Sequence, residues 1–470
     1  MKTKSLWLIA SLILIASMIL TACGPKTTPP SAGETQAPPA GEKVKVTIFI
    51  GMGTGTDPEQ ITAENALAAK FNSTHDNIEM EFLIVPYEQS REKFQAMVSG
   101  GTAPQLVGPM GVETSGQFQD LWEDLGPYIQ RDNYDTSDFY GPAIELNKTA
   151  DGKNIGLPVG LYPSFIFYNK NAFDAAGIAY PTHDFNDKTW TLAKLREVAM
   201  QVTMDANGNN ATSPDFEPAN IVTYGFDDSW GSFRDWAVIW GAPNVGRPTT
   251  ADFKTATVNA PEWVTGIQWY SDAIWVDHFM ADGTALSAID PANGDPFAVG
   301  GVAIWKSHTW YMGDSLNDLP FKWDIAPAPY NQKGEQIFNG DADVFAIPAS
   351  AENKDAAWEA LKWLVNEENI LEMCKIYGCM PARKSVAETY NTTLTEMYPG
   401  IDTSVVFSAA NFIDVSNHEG WVPDVGRVNE ILANALSKLM TEGENHDAQS
   451  LLDETNAEVQ AILDEYWASH

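Results

Sequence analysis

The sequence predicts an α/β protein built on a mostly parallel sheet, and three observations lead there. The first part of the ordered chain alternates β-rich and amphipathic helical segments. A helix-start signal stands between the first two of them. The 470 residues, 44% of them hydrophobic, also supply enough apolar side chains for two or three domains. In order, Lys43 to Ile50 reads Lys-Val-Lys-Val-Thr-Ile-Phe-Ile, an alternating strand, and a glycine turn follows at 51–56. Asp57-Pro58-Glu59-Gln60 then opens a helix: Asp57 caps, Pro58 suits the first turn, Gln60 bonds back, and Ile61, Leu67, Ala68 and Phe71 share one face. A second strand is predicted over 78–85 and a helix near 90–99. Further on, Phe233, Trp236, Ala237 and Trp240 recur at helical spacing, which places Trp236 and Trp240 in a core and leaves Trp230 at the helix entry. Trp263, Trp269, Trp275, Trp358 and Trp363 lie in helix-like segments and read as packing.

Ahead of all this, Lys2 and Lys4 precede an apolar run over 6–22 that ends in Leu20-Thr21-Ala22-Cys23-Gly24. A positive start, an apolar core and small residues before a cut are the physical marks of an export signal. The segment resembles the lipobox of bacterial lipoproteins, which implies a signal peptide over 1–22 and acylation of Cys23. A plain transmembrane anchor is the alternative, since the run sits at the lower edge of bilayer-spanning length. Both place the body of the protein outside the cytoplasm, held to the membrane. Residues 23–42, rich in Pro, Thr and Gly and without large apolar residues past Cys23, read as a flexible tether.

The formal net charge is −35, and removing the two signal lysines makes it more negative. Such a chain repels phosphate backbones, so nucleic acid is excluded as a partner. The acids are spread along the whole chain, as solubility requires. Besides Cys23, the chain holds Cys374 and Cys379, which in an oxidising exterior read as a small-loop disulfide, with free thiols as the alternative. No histidine lies between them to suggest a metal site, and no cofactor motif is complete. Gly51-Met52-Gly53-Thr54-Gly55-Thr56 lacks the third glycine at the spacing of a dinucleotide fingerprint, although turn glycines at a strand's carboxyl end suit any ligand of an α/β sheet. Asp205-Ala206-Asn207-Gly208-Asn209-Asn210 resembles a calcium loop only in part, its glycine falling too early, and reads as a turn. Catalytic elbows, zinc helices and phosphate loops are missing from the sequence, and its seven histidines are scattered.

Several segments, in order, resemble the extracellular solute-binding proteins of ABC importers, the branch that includes maltodextrin-binding proteins. They are Gly100-Gly101-Thr102-Ala103-Pro104-Gln105-Leu106-Val107, with Gln105 where the family usually has Asp; Gly156-Leu157-Pro158-Val159-Gly160 followed by Ile166 to Phe173, Ala176-Gly177-Ile178 and Thr189-Trp190; Phe297 to Ile304 leading to Trp310; Trp323 to Pro329; Ala346-Ile347-Pro348 with a helix over 353–365; and Gly378 to Lys384. The resemblance implies a two-lobed α/β fold of the periplasmic-binding-protein type, with a hinge and ligand held between the lobes. On that pattern the first lobe takes residues 43–160 and 344–380, and the second takes 161–343 and 381–470.

A sugar site needs aromatic platforms edged by short polar groups. The resemblance assigns stacking roles to Trp310 and to Trp421, which precedes a helix predicted over 428–439. Trp230 is a further candidate for ligand contact. Tyr162 follows the presumed first crossing between lobes, where relatives place a ligand-contacting residue, and Asp341 and Asp343 lie at the second crossing. Glu113 and Arg383 complete the candidates, although Arg383 has surplus acids to pair with, and with 63 acids any single carboxylate is more simply a solvated surface group. The expectation is a monomeric, lipid-anchored receptor that captures a carbohydrate, an oligosaccharide in particular, and delivers it to an ABC permease without catalysis. Two alternatives stay open: a surface glycan-active enzyme using paired carboxylates, and a receptor for a cationic solute such as a polyamine.

Overall fold

The structure, a computed structural model, describes residues 43–469 apart from 150, 229–231, 242–245, 292–293, 313, 338, 414–419 and 443–446. The signal segment, the tether, Cys23 and Trp230 therefore lie outside the described residues.

β1 (Val44–Ile50) and α1 (Pro58–Thr74) form where the strand and cap signals put them, and the Asp57 N–H donates to Gln60 Oε1 at 3.2 Å. α1 buries Leu67, Ala68 and Phe71 along with Glu64. β2 (Ile78–Ile84) lies parallel to β1 from Val44↔Ile78 to Ile50↔Ile84. α2 (Tyr87–Ser99) begins directly after Pro86, three residues ahead of the predicted start. β3 (Leu106–Met110) is parallel to β1 on its other side, and α3 (Val112–Gln117) follows at once.

The expected mostly parallel sheet ends there. β4 (Gly156–Asn169) is fourteen residues long and buried throughout. The half nearer its start pairs antiparallel with β7 (Gly340–Ala346) and β8 (Met380–Pro381), and the half nearer its end with β5 (Ile304–His308) and β6 (Trp323–Ala326). β7 inserts antiparallel between β3 and β4. Among the described residues, only the two strand-to-strand pairings of β1 are parallel in this sheet; Asp227, outside any strand, adds a parallel bridge to Trp305 of β5. The cause is long-range: about 170 residues separate β4 from β7, and the chain returns along β4 in the opposite direction.

Three cores flank this sheet. One lies under β1 and β3 and includes Phe71 and the buried residues of α7 (Lys354–Leu364) and α8 (Glu367–Tyr377). A smaller one on the opposite face holds Phe49, Phe94, Val107, Met110 and Trp122. The third joins the end of β4 to α4 (Leu192–Val202), α5 (Phe233–Ile239), α6 (Pro261–Trp275), α9 (Val425–Glu442) and α10 (Ala448–Ser469). Trp236 and Trp240 are buried there as their spacing predicts, with Trp236 stacked on Tyr270 at 3.9 Å. Trp263, Trp269 and Trp358 are buried in cores as well. Cys374 and Cys379 form a disulfide. The Asp205 segment is a turn whose carboxylate accepts the N–H groups of Asn207, Asn209 and Glu217.

Candidate functional site

The site is built where β4 and β7 pair. Tyr162 lies opposite Asp341, and Gly160 opposite Asp343. Directly opposed residues of an antiparallel pair share a face, so these four positions point the same way. Gly160 leaves room for the disulfide: a Cβ there would sit 2.3 Å from Cys379 Sγ. The bridge packs beside Tyr162, whose hydroxyl donates to Asp343 Oδ2 at 3.1 Å. The neighbouring Tyr377 hydroxyl donates to Glu64 Oε1 at 3.0 Å.

Burial first, and the charge of Asp341 second, push the Asp343 carboxyl up to about 7 against the pull of the Tyr162 hydroxyl. Burial also raises Asp341, in part offset by the N–H groups of Ala342 and Val112 and, among nearby basic groups, by the charge of Arg234, which pulls the carboxyl down. Glu64 is pushed up to about 7 by burial alone, against its bond from Tyr377.

Past the end of β5, Trp310 stands on a short turn and is 41% exposed. One of its faces stacks on His308 at 3.7 Å, and Tyr162 leans against it at 5.5 Å. His308 is buried and pushed down to about 3, chiefly by that burial and then by the charge of Lys306, so its ring is neutral. Asn339 Nδ2 lies 2.9 Å from His308 Nε2, which assigns the ring proton to Nδ1. An exposed indole with a fixed back face is a platform for the flat C–H side of a ring.

Two cavities meet at this platform. The larger, about 810 Å³, is lined by Tyr162, Asp343, Tyr377 and the Met52–Thr54 turn. The smaller, about 470 Å³, is lined by Arg234, Asp235, His308, Asn339 and the inner face of α9. Trp310, Asp341 and Glu113 border both. Four of the expected candidates, Trp310, Tyr162, Asp341 and Asp343, thus come together, and Glu113 joins them from the first turn of α3. The glycine turn after β1 also reaches the site, as its place at a strand's carboxyl end suggests.

Two candidates do not join them. Trp421 is 5% exposed, packs in the core with Phe49 and Trp122, and donates its indole N–H to the Lys148 carbonyl at 3.0 Å; neither cavity includes it. Its ring has no open face on which a ligand would stack. Arg383 is tied down by Val365 O, Asp138 Oδ2 and the Tyr134 hydroxyl, and lies over the Phe139 ring at 4.2 Å. It pairs with an acid, the alternative its sequence context allowed, and is no ligand contact. His308, Asn339, Arg234 and Asp235 were not singled out from sequence. His308 had a signal, its place two residues before Trp310, but with nothing to mark it among seven histidines.

A putative binding protein of Brucella abortus (strain 2308) is 22% identical over 403 residues, covering 84% of this chain and 88% of the relative. The ABC substrate-binding protein of Listeria monocytogenes solved with cycloalternan superposes with a TM-score of 0.71 at 20% identity, covering 90% of this chain and 100% of that one. The GacH receptor of Streptomyces glaucescens, solved unliganded and with acarbose, gives 0.65 at 18% identity with the same coverage. At these identities the likeness establishes the fold, the mixed α/β fold of periplasmic binding proteins. The sequence pattern of the bacterial extracellular solute-binding proteins matches residues 66–402, well over half of the chain, and this protein belongs to that family.

Proposed function

We propose that this protein captures a carbohydrate, an oligosaccharide in particular, at the Trp310 platform and delivers it to an ABC permease. The observation that carries the reading is a large aromatic side chain held 41% exposed, with a fixed back face, at the meeting of two cavities edged by carboxylates. The solved relatives named above, bound to cycloalternan and to acarbose, support it. The two crossings of β4 and β7 support lobes of 43–160 plus 344–380 and 161–343 plus 381–470, closing on ligand about a hinge. Acylated Cys23 anchors a monomer outside the cell through the 23–42 tether, and the protein turns nothing over.

A thermal-shift screen of the mature protein tests the reading, since a ligand that binds only the folded state raises Tm by mass action. Oligosaccharides are expected to raise Tm and to be recovered chemically unchanged; chromatographic turnover lost with one carboxylate substitution would make the protein an enzyme. One observation favours a second reading: Asp343 is buried and Asp341 half-buried on the same strand face, and both are raised, which a cationic solute would relieve. Spermidine in the same screen separates the two, because a shift with spermidine alone moves the ligand class to polyamines.

A further inference from the structure

We infer that the carbohydrate taken at this site carries an apolar substituent, an alkyl or aryl group, and that the 470 Å³ cavity against α9 is its place. The inference rests on the carbohydrate reading and deepens it. Val425, Val428, Leu432 and Leu436 recur along α9 at three- and four-residue steps, which sets them on one face of the helix, and all four line this cavity. Phe233 and Pro248 extend the apolar wall, and Asn429 is the one polar side chain that α9 adds among the described residues.

At the other end stand Trp310, Asp341 and Glu113, which the cavity shares with the larger one. Its remaining polar groups are in part engaged with one another, while His308 Nδ1 is buried with no hydrogen-bond partner among the described residues. Asn339 bonds His308 at 2.9 Å, and Arg234 lies 3.1 Å from Asp235. A bare sugar ring pushed against the α9 wall would find Asn429 as its one polar partner on that helix and strip water from the other hydroxyls, at a cost of about tenfold or more in affinity for each. The same wall rewards an apolar group by about fourfold in affinity per methylene removed from water. One cavity therefore suits the sugar and the other its substituent, joined past Trp310.

The test is calorimetric titration of methyl and octyl β-glucosides and of maltose and octyl β-maltoside, each below its micelle concentration. N-phenyl-1-naphthylamine serves as a neutral fluorescent probe of the apolar wall. Octyl glycosides are expected to bind at least tenfold more tightly than their unsubstituted partners and to displace the dye. Leu436 is only partly buried, so Leu436→Gln is expected to fold and to abolish the octyl gain. Leu436→Met is expected to keep the gain. Equal affinities for bare and octylated sugars, or a gain that survives Leu436→Gln, overturn the inference and leave the carbohydrate reading standing. If no sugar and no glycoside binds, the carbohydrate reading falls and takes the inference with it.

Discussion

Trp310 and Trp421 sit in opposite environments, and truncating them should report it. Trp310 is 41% exposed, so Trp310→Ala leaves little cavity and should keep the melting temperature of the free protein. A platform aromatic is worth about 2 kcal/mol of binding, which is roughly thirtyfold in Kd by titration. Trp421→Ala empties a packed site and removes the indole bond to the Lys148 carbonyl, at a cost of about 3–5 kcal/mol seen in denaturant melts. A Trp421→Ala variant that melts like the parent and binds weakly would return that residue to the cleft. Asp343 offers a pH test. Its folded value, about 7, lies above the ordinary 3.8, so the folded state holds a proton that the unfolded chain has released. Its contribution is therefore intact below about pH 4 and lost as pH rises to about 7, an upper bound of about 4 kcal/mol. Asp343→Asn should gain stability relative to the parent across that window; a difference flat with pH would sink the assignment. The acids at the crossing were legible from sequence because their place in the chain marked them. Burial of Trp421 was not, since its partners Phe49, Trp122 and Lys148 are all more than 270 residues away.

At the scale of elements, the disulfide ties the end of α8 to the start of β8 beside Tyr162. Its sequence separation is five residues, so it closes a short loop and should contribute about 2 kcal/mol, the low end for a bridge. Urea unfolding of the Cys374→Ser/Cys379→Ser variant should show that loss, and unchanged stability would mean that the loop is held by its neighbours alone. Local signals fixed β1, α1, β2 and α5 to within a few residues, because caps and periodicity act over single turns. Strand direction was misread for the opposite reason. Whether β7 runs with or against β3 depends on where the chain has travelled in between, and no local pattern records that.

Over the whole molecule, the step from Trp421 to Val422 links two cores. Trp421 packs in the core that holds Phe49 and Trp122, while Val422 packs in the core of α5, α6, α9 and α10. The contact beside them is as close as backbone allows: a Cβ added to Gly116 of α3 would lie 2.0 Å from the Gly420 carbonyl oxygen. That carbonyl is backbone and cannot swing aside, so Gly116→Ala must push α3 and residue 420 apart. Both segments border the cavities, through Glu113 on α3 and through Gly420 itself. The change should therefore widen the cleft as well as strain the fold. Gly116→Ala is expected to lower Tm, to weaken sugar binding tenfold or more, and to raise the radius of gyration measured by X-ray scattering with saturating ligand. Ser115→Ala, one residue away, changes a side chain whose hydroxyl bonds only the local Val112 carbonyl, and serves as the control for damage to α3 alone. If Gly116→Ala scatters and binds like the parent, the contact between residues 116 and 420 does not set the width of the cleft.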